Sequence, residues 1–234
     1  MLKKLLSLAV LLTLGSAAAA DEADIRKAME AKLGAKVESV AKAGYLGLYE
    51  VYSDGHIFYT DDKVSVILLG TQLIDAKTMK NVTEERMRKL TAIKFSDLPL
   101  ERAIKQVRGD GKRVLATFED PNCGYCKRLD RDLQKLDNVT IYTFLYPILS
   151  EDSVRKSKQI WCSTDRSKVW TEWMVDGKPP AGREDCDTAA IAKNQEFGRK
   201  LNISGTPTIF FIDGERVPGA VPVARIEQKL GSLK

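Results

Sequence analysis

Apolar positions along this chain change period several times, and each change marks a different kind of element. Leu5 to Leu14 is a nearly unbroken apolar run. Over residues 24–33, Ile25, Ala28, Met29 and Leu33 recur at helical spacing and predict a short amphipathic helix. Alternation of period two then takes over. Val37 to Ala41, Leu46 to Tyr52 and Ile57 to Thr60 read as short strands, with Ser53-Asp54-Gly55-His56 as the turn between the last two. Asp61-Asp62 breaks the pattern, Val64 to Leu69 reads as a more buried strand, and Gln72 to Ala76 as a weak fifth. One helix and a small antiparallel sheet make an α+β unit over residues 21–80. A unit of this size buries only about 60% of the surface its unfolded chain exposes, so it is marginal alone. Packing against a second copy supplies burial and covers an edge strand, which makes a homodimer the expectation. Docking onto the chain's own second domain is the alternative.

A mostly polar helix follows over 82–94. Asn81 stands at its N-cap position and Glu84 three residues on, while Met87, Leu90 and Ile93 give only a narrow apolar stripe. Such a helix suits a spacer, so residues 81–97 are expected to form a linker helix, ending near Ser96–Pro99. Residues 98–234 form the second domain. Strands are predicted at Lys112 to Phe118 and Val139 to Tyr146, with a helix at Tyr125 to Leu136 between them. Helical segments near 151–162, 165–175 and 187–201 surround a Gly177-Lys178-Pro179-Pro180 break. A hairpin turning at Gly214 joins Ile209 to Asp213 with Glu215 to Val217, and a last helix covers Ala224 to Leu230. This is the order of an α/β domain whose central crossover is enlarged by a helical insertion at about 150–200.

The chain's start has the form of a secretory signal over residues 1–20. Lys3 and Lys4 supply the basic region, Leu5 to Leu14 the apolar one, and Ala17 to Ala20 the small-residue cleavage site. The run is too short for a spanning helix, and no later stretch matches it, so the mature chain is expected to begin near Asp21 without membrane insertion. An uncleaved anchor is the alternative. Loss of the two lysines lowers the net charge from +5 to +3. Charges of both signs are interspersed, which favours solubility and gives no reason to expect a nucleic-acid partner. The one histidine, His56, lies beside the Asp54-Gly55 turn, far in sequence from every cysteine. This argues against Cys-His and Ser-His-Asp catalysis and against a histidine-rich zinc site. No phosphate-binding loop or dinucleotide fingerprint is present, and no cofactor is expected.

The chemistry concentrates in Cys123-Gly124-Tyr125-Cys126, between a predicted strand and a predicted helix. A free thiol has a pKa of about 8.5 and is largely protonated at neutral pH. A cysteine at a helix start faces unpaired N–H groups and the positive dipole end, and Lys127 and Arg128 add cationic charge. Cys123 is therefore the expected attacker, and Cys126, one turn further in, the buried resolver. Gly124 and Tyr125 are placed to tune the redox poise. Half of a zinc site and a purely structural local disulfide are the alternatives for this pair. Structural zinc sites usually show two close cysteine pairs, whereas here 35 residues separate Cys126 from Cys162 and 23 separate Cys162 from Cys186. A two-residue loop between cysteines stabilises little by chain entropy. In an oxidising compartment Cys162 and Cys186 most simply form a structural disulfide around the Pro179-Pro180 loop, a second redox relay being the alternative.

The strand, the Cys-Gly-Tyr-Cys helix start and Ser204-Gly205-Thr206-Pro207 resemble the thioredoxin fold. Asn81-Val82-Thr83, Ile160-Trp161-Cys162 and Val217-Pro218-Gly219 extend the likeness to the DsbC/DsbG family of disulfide isomerases, over nearly all of residues 21–234. Gly124 favours the DsbC branch, since DsbG carries proline there. The resemblance implies a dimerisation domain at the front and a periplasmic location. It also implies a cis Thr206–Pro207 bond facing the dithiol, with Thr206, Pro207 and Tyr125 contacting substrate. The implied substrates are misoxidised exported proteins, and the implied reductant is a membrane reductase of the DsbD type. Chaperone activity is part of the same expectation. A DsbG-like reductase of oxidised single cysteines and a non-catalytic chaperone are the alternatives. In one respect the chain departs from thioredoxin: Thr117 stands six residues before Cys123, where thioredoxin has a buried acid. Glu119 and Asp120 are expected to be a solvated strand end, outside the catalytic set.

Overall fold

The computed structural model describes residues 17–233. They form two compact units that meet at Thr83 and Glu84. The signal assigned to residues 1–20 falls, as far as residue 16, outside the described residues. Helix α1 runs Ala17–Leu33, seven residues ahead of the predicted start, because the alanines of the small-residue run are strong helix formers.

In the first unit, β1 (Val37–Lys42), β2 (Tyr49–Ser53), β3 (His56–Thr60) and β4 (Ile67–Leu69) pair antiparallel in chain order. Ile25 and Met29 of α1 pack on Val37, Val40, Tyr49, Val51 and Phe58 to form its core. The β2–β3 turn is a two-residue loop in which Asp54 and Gly55 both have positive φ, 49° and 78°, the geometry that matches strand twist. His56 is exposed at its edge. β2 starts three residues later than predicted, since Leu46 and Gly47 take left-handed φ of 52° and 69°. The predicted fifth strand is a loop: only Ile74 bridges to Asn81, while Asp75 Oδ1 accepts from the Lys77 and Thr78 amides.

Helix α2, Val82–Thr91, buries none of its residues. Within the second unit, Glu84 pairs with Arg225 at 3.1 Å and Arg88 with Glu215 at 3.7 Å. The five-stranded sheet of this unit has the order β5-β7-β6-β8-β9, comprising β5 (Ile104–Arg108), β6 (Arg113–Glu119), β7 (Val139–Leu145), β8 (Thr208–Phe211) and β9 (Arg216–Pro218). Only β6 and β7 run parallel, joined through α3 (Gly124–Leu133). β5 is absent from the sequence expectation. Its five residues alternate Ile104, Lys105, Gln106, Val107, Arg108, an edge-strand pattern with few apolar positions.

Side-chain alternation gives the sheet two covered faces. Leu115 of β6, with Ile141, Ile209 and Phe211, meets Leu129 and Leu133 of α3 and Ile226 and Leu230 of α7 (Val223–Ser232). Ala116 and Phe118 face the other way, with Phe144 and Phe210, towards Leu98 and Phe197. Phe197 lies on α6 (Ala189–Lys200), where a Cβ on Gly198 would overlap the Tyr146 ring. The predicted insertion is present as α4 (Glu151–Trp161), α5 (Arg166–Met174) and α6. Ile160, Trp161, Trp170, Met174 and Ile191 from these helices pack against Cys123 and Cys126.

Candidate active site

β6 ends at Glu119, and three residues then turn the chain into α3. Asp120 fixes that turn. Its Oδ1 accepts from the Asn122 amide at 2.7 Å, and its Oδ2 accepts from Ile148 and Leu149 at 2.8 and 2.9 Å. Its carbonyl accepts from the Cys123 amide at 3.0 Å. Glu119 and Asp120 are both fully buried, at 0% exposure, so they are not the solvated strand end that their acidity suggested. Strand β6 is buried to its last residue, and Asp120 exchanges water for three N–H donors.

Cys123 is the N-cap of α3, and its Sγ accepts from the Cys126 amide at 3.3 Å. As a thiol it also donates to the Thr206 carbonyl at 3.3 Å. That carbonyl cannot stabilise a thiolate. Hydrogen bonding from Cys126 chiefly, then from the Thr206 side chain and the helix-start amides, lowers the Cys123 pKa to about 5. The first turn of α3 holds no acid. Lys127 directs its charge elsewhere: Nζ lies 3.5 Å over the Trp173 ring, whose Nε1 donates to the Pro121 carbonyl at 2.6 Å. Thus α5 braces the active turn.

Cys126 is 0% exposed against 6% for Cys123. Burial, foremost, and the neighbouring Cys123 and Glu119 hold its pKa far above the ordinary thiol range. The two sulfurs of one motif therefore differ in kind: one, at the helix start beside the cis-proline loop, is stabilised as an anion, and the other is kept protonated deeper in the core. The Thr206–Pro207 bond is cis, and the loop that carries it lies against Cys123 despite a separation of 83 residues. The Pro207 carbonyl accepts from the Gly219 amide at 2.7 Å, which ties this loop to β9. Tyr125 is 67% exposed beside the dithiol. Ile148 and Leu149, which the sequence did not single out, are also exposed and are anchored to the active turn through Asp120.

Cys162 and Cys186 form a disulfide with Cα atoms 5.6 Å apart, joining the C-cap of α4 to the loop before α6. Nearby, Trp161 Nε1 donates to the Asp187 carbonyl at 3.1 Å. Among the described residues no cluster of three or more His, Cys, Asp or Glu side chains could hold a metal. No helix among them is long and apolar enough to cross a membrane.

Sequence reasoning missed Asp130. The buried side of α3 reads Cys126, Leu129, Asp130, Leu133, so an acid occupies an apolar stripe. That misplacement was the available signal. Asp130 Oδ1 accepts from Trp170 Nε1 at 3.2 Å, and its carboxyl faces that of Glu119.

A thioredoxin-like sheet that presents a helix-capping dithiol beside a cis-proline loop defines a thiol–disulfide exchange protein. Comparison with known proteins narrows the class. Residues 16–84 match the disulfide bond isomerase protein N-terminal domain and residues 100–234 a thioredoxin-like domain. The probable thiol:disulfide interchange protein DsbC of Bordetella parapertussis is 51% identical over 197 residues, covering 84% of this chain and 69% of that protein. DsbC of Escherichia coli K12 is 28% identical over 218 residues, covering 91% and 89%. The crystal structure of a disulfide interchange protein from Neisseria gonorrhoeae matches with a TM-score of 0.55 at 40% identity, over 58% of this chain and 97% of that one. The chain belongs to the DsbC family of thiol:disulfide interchange proteins.

Proposed function

We propose that Cys123 and Cys126 act in sequence as attacker and resolver of a disulfide isomerase working on misoxidised exported proteins. The observation that carries this reading is the contrast between the sulfurs: Cys123 caps α3, accepts the Cys126 amide and lies against Thr206, whereas Cys126 is fully buried. The Cys123 thiolate attacks one sulfur of a substrate disulfide. A mixed disulfide forms, and the other substrate sulfur leaves as a thiolate. When a second substrate thiolate displaces Cys123, the disulfide has moved and the enzyme is regenerated without net oxidation. When Cys126 attacks Cys123 instead, the substrate leaves with two thiols and the enzyme holds the disulfide.

Tyr125, Thr206 and Pro207 contact the substrate segment in this reading. Tyr125 offers an exposed aromatic face, and the Thr206 backbone lies within reach of the reacting sulfur. The Cys162–Cys186 bond serves structure, since it lies at the end of α4 and is already oxidised. Sustained isomerisation needs the dithiol reduced, so a membrane reductase of the DsbD type is the proposed electron donor. Export to the periplasm follows from the form of residues 1–20. The homodimer is proposed through residues 21–80, where β4 is a three-residue edge strand that ends on exposed Leu69 and is preceded by exposed Val66.

The test is reactivation of a multi-disulfide protein carrying scrambled bonds. Wild-type protein restores native pairing, and Cys123→Ala falls to the uncatalysed background. Full reshuffling by Cys123→Ala would refute the reading.

A further inference from the structure

Glu119 and Asp130 are 0% and 2% exposed, and neither is used by the two-sulfur chemistry. Both carboxyl oxygens of Glu119 and Oδ2 of Asp130 lack a hydrogen-bond donor. The neighbouring Thr117 hydroxyl is engaged with Thr143 Oγ1 at 3.2 Å. Two ionised carboxylates facing each other in a core without donors are prohibitively costly. A proton held between them supplies the missing donor, removes one charge and satisfies two of the orphaned oxygens. As pure structure the pair is a poor choice, because apolar side chains of similar volume serve a core at least as well.

The surroundings give the pair a task. Alternation along β6 puts Glu119 on the same face as Leu115, towards α3. There it faces Asp130 and the two active-site sulfurs. Asp130 faces Trp170 Nε1 on α5 and, from β5, the charge of Arg108, whose guanidinium also donates to the Leu133 carbonyl. Arg108 is the cation that acts on Asp130. Cys126 must lose a proton to resolve the mixed disulfide, yet it has no contact with solvent. Ionising it to water would add a second negative charge to the core. Handing its proton to the singly charged pair leaves the buried charge unchanged.

We propose that Glu119 and Asp130 form a proton-sharing carboxyl pair that accepts the Cys126 proton when the mixed disulfide is resolved. The step balances. The Cys126 S–H bond breaks and its proton passes to the Glu119–Asp130 monoanion, which becomes neutral. Cys126 sulfur bonds to Cys123 sulfur, the bond from Cys123 to substrate breaks, and the substrate leaves as a thiolate. The dithiol is oxidised by two electrons and the substrate disulfide reduced by two. Reduction of the enzyme returns the proton to Cys126. The inference rests on Cys126 being the resolver.

The experiment uses the full chain and follows release of substrate thiol from the preformed Cys123 mixed disulfide between about pH 5 and pH 9. In wild type the rate rises as the pair gains its single negative charge, then levels. Glu119→Gln and Asp130→Asn lose that rise and resolve about 100-fold more slowly near neutral pH. Their Cys123 alkylation rates stay within about twofold of wild type, which separates proton transfer from general damage to the site. Variants that keep the wild-type pH profile overturn the proposal. A second readout needs no variant: the infrared spectrum of reduced wild type at neutral pH should show the carbonyl stretch of a buried protonated carboxyl, and its absence also overturns the proposal. Failure of wild type to form a mixed disulfide through Cys123 would instead defeat the reading of function itself.

Discussion

Three positions separate Cys123 from Cys126, and the difference in their chemistry comes from which end of a helical turn each occupies. Cys123, as N-cap, receives an amide N–H on its sulfur; Cys126, inside the first turn, receives burial. With the Cys123 pKa lowered to about 5, the thiolate predominates above that pH and the thiol below it. Alkylation of Cys123 should be flat through neutral pH and fall about tenfold per unit below pH 5, where an unperturbed cysteine would still be gaining reactivity up to about 8.5. A midpoint near 8.5 would remove the helix-start account. At this scale the dithiol was legible because both cysteines and their spacing are local. Glu119 and Asp130 were not, since each reads as a surface acid until β6 and α3 are packed face to face. Asp130 on the stripe of Leu129 and Leu133 was the only local trace of that packing.

Elements follow the same division. Helices α3 to α7 and strands β6 to β8 declare themselves through period and flanking breaks, and their boundaries fall within a few residues of expectation. β5 did not, because a five-residue edge strand with Lys105 and Arg108 owes its place to pairing with β7, a contact of long sequence range. The insertion is held in two ways: its apolar helical faces pack behind the dithiol, and the Cys162–Cys186 bond closes a loop with a sequence separation of 24. Replacing both of these cysteines with serine should lower unfolding stability by about 3 kcal/mol in urea titration, through the greater entropy of the open unfolded chain. Reduction of a simple disulfide substrate by the folded variant should continue at close to the wild-type rate. Loss of that activity from a still-folded variant would return the bond to the chemistry as a second redox relay.

For the whole molecule, the division into two units was visible as a change from alternating short strands to a strand–helix order, and the polar α2, which starts at that boundary, buries no side chain. The cis Thr206–Pro207 loop entered only through family likeness, since nothing in the residues near 206 announces that they lie against Cys123. What unites these parts is a claim about order: Cys123 bonds to substrate first, and Cys126 releases it. Capture of substrates from a periplasmic extract tests that order directly. Cys126→Ser, which retains the attacker and lacks the resolver, should accumulate disulfide-linked complexes that dissolve on reduction, and mass spectrometry should find Cys123 in the linkage and multi-disulfide exported proteins as its partners. Cys123→Ser should accumulate none. Complexes linked through Cys126 in the Cys123→Ser protein, with none through Cys123 in the Cys126→Ser protein, would contradict the account.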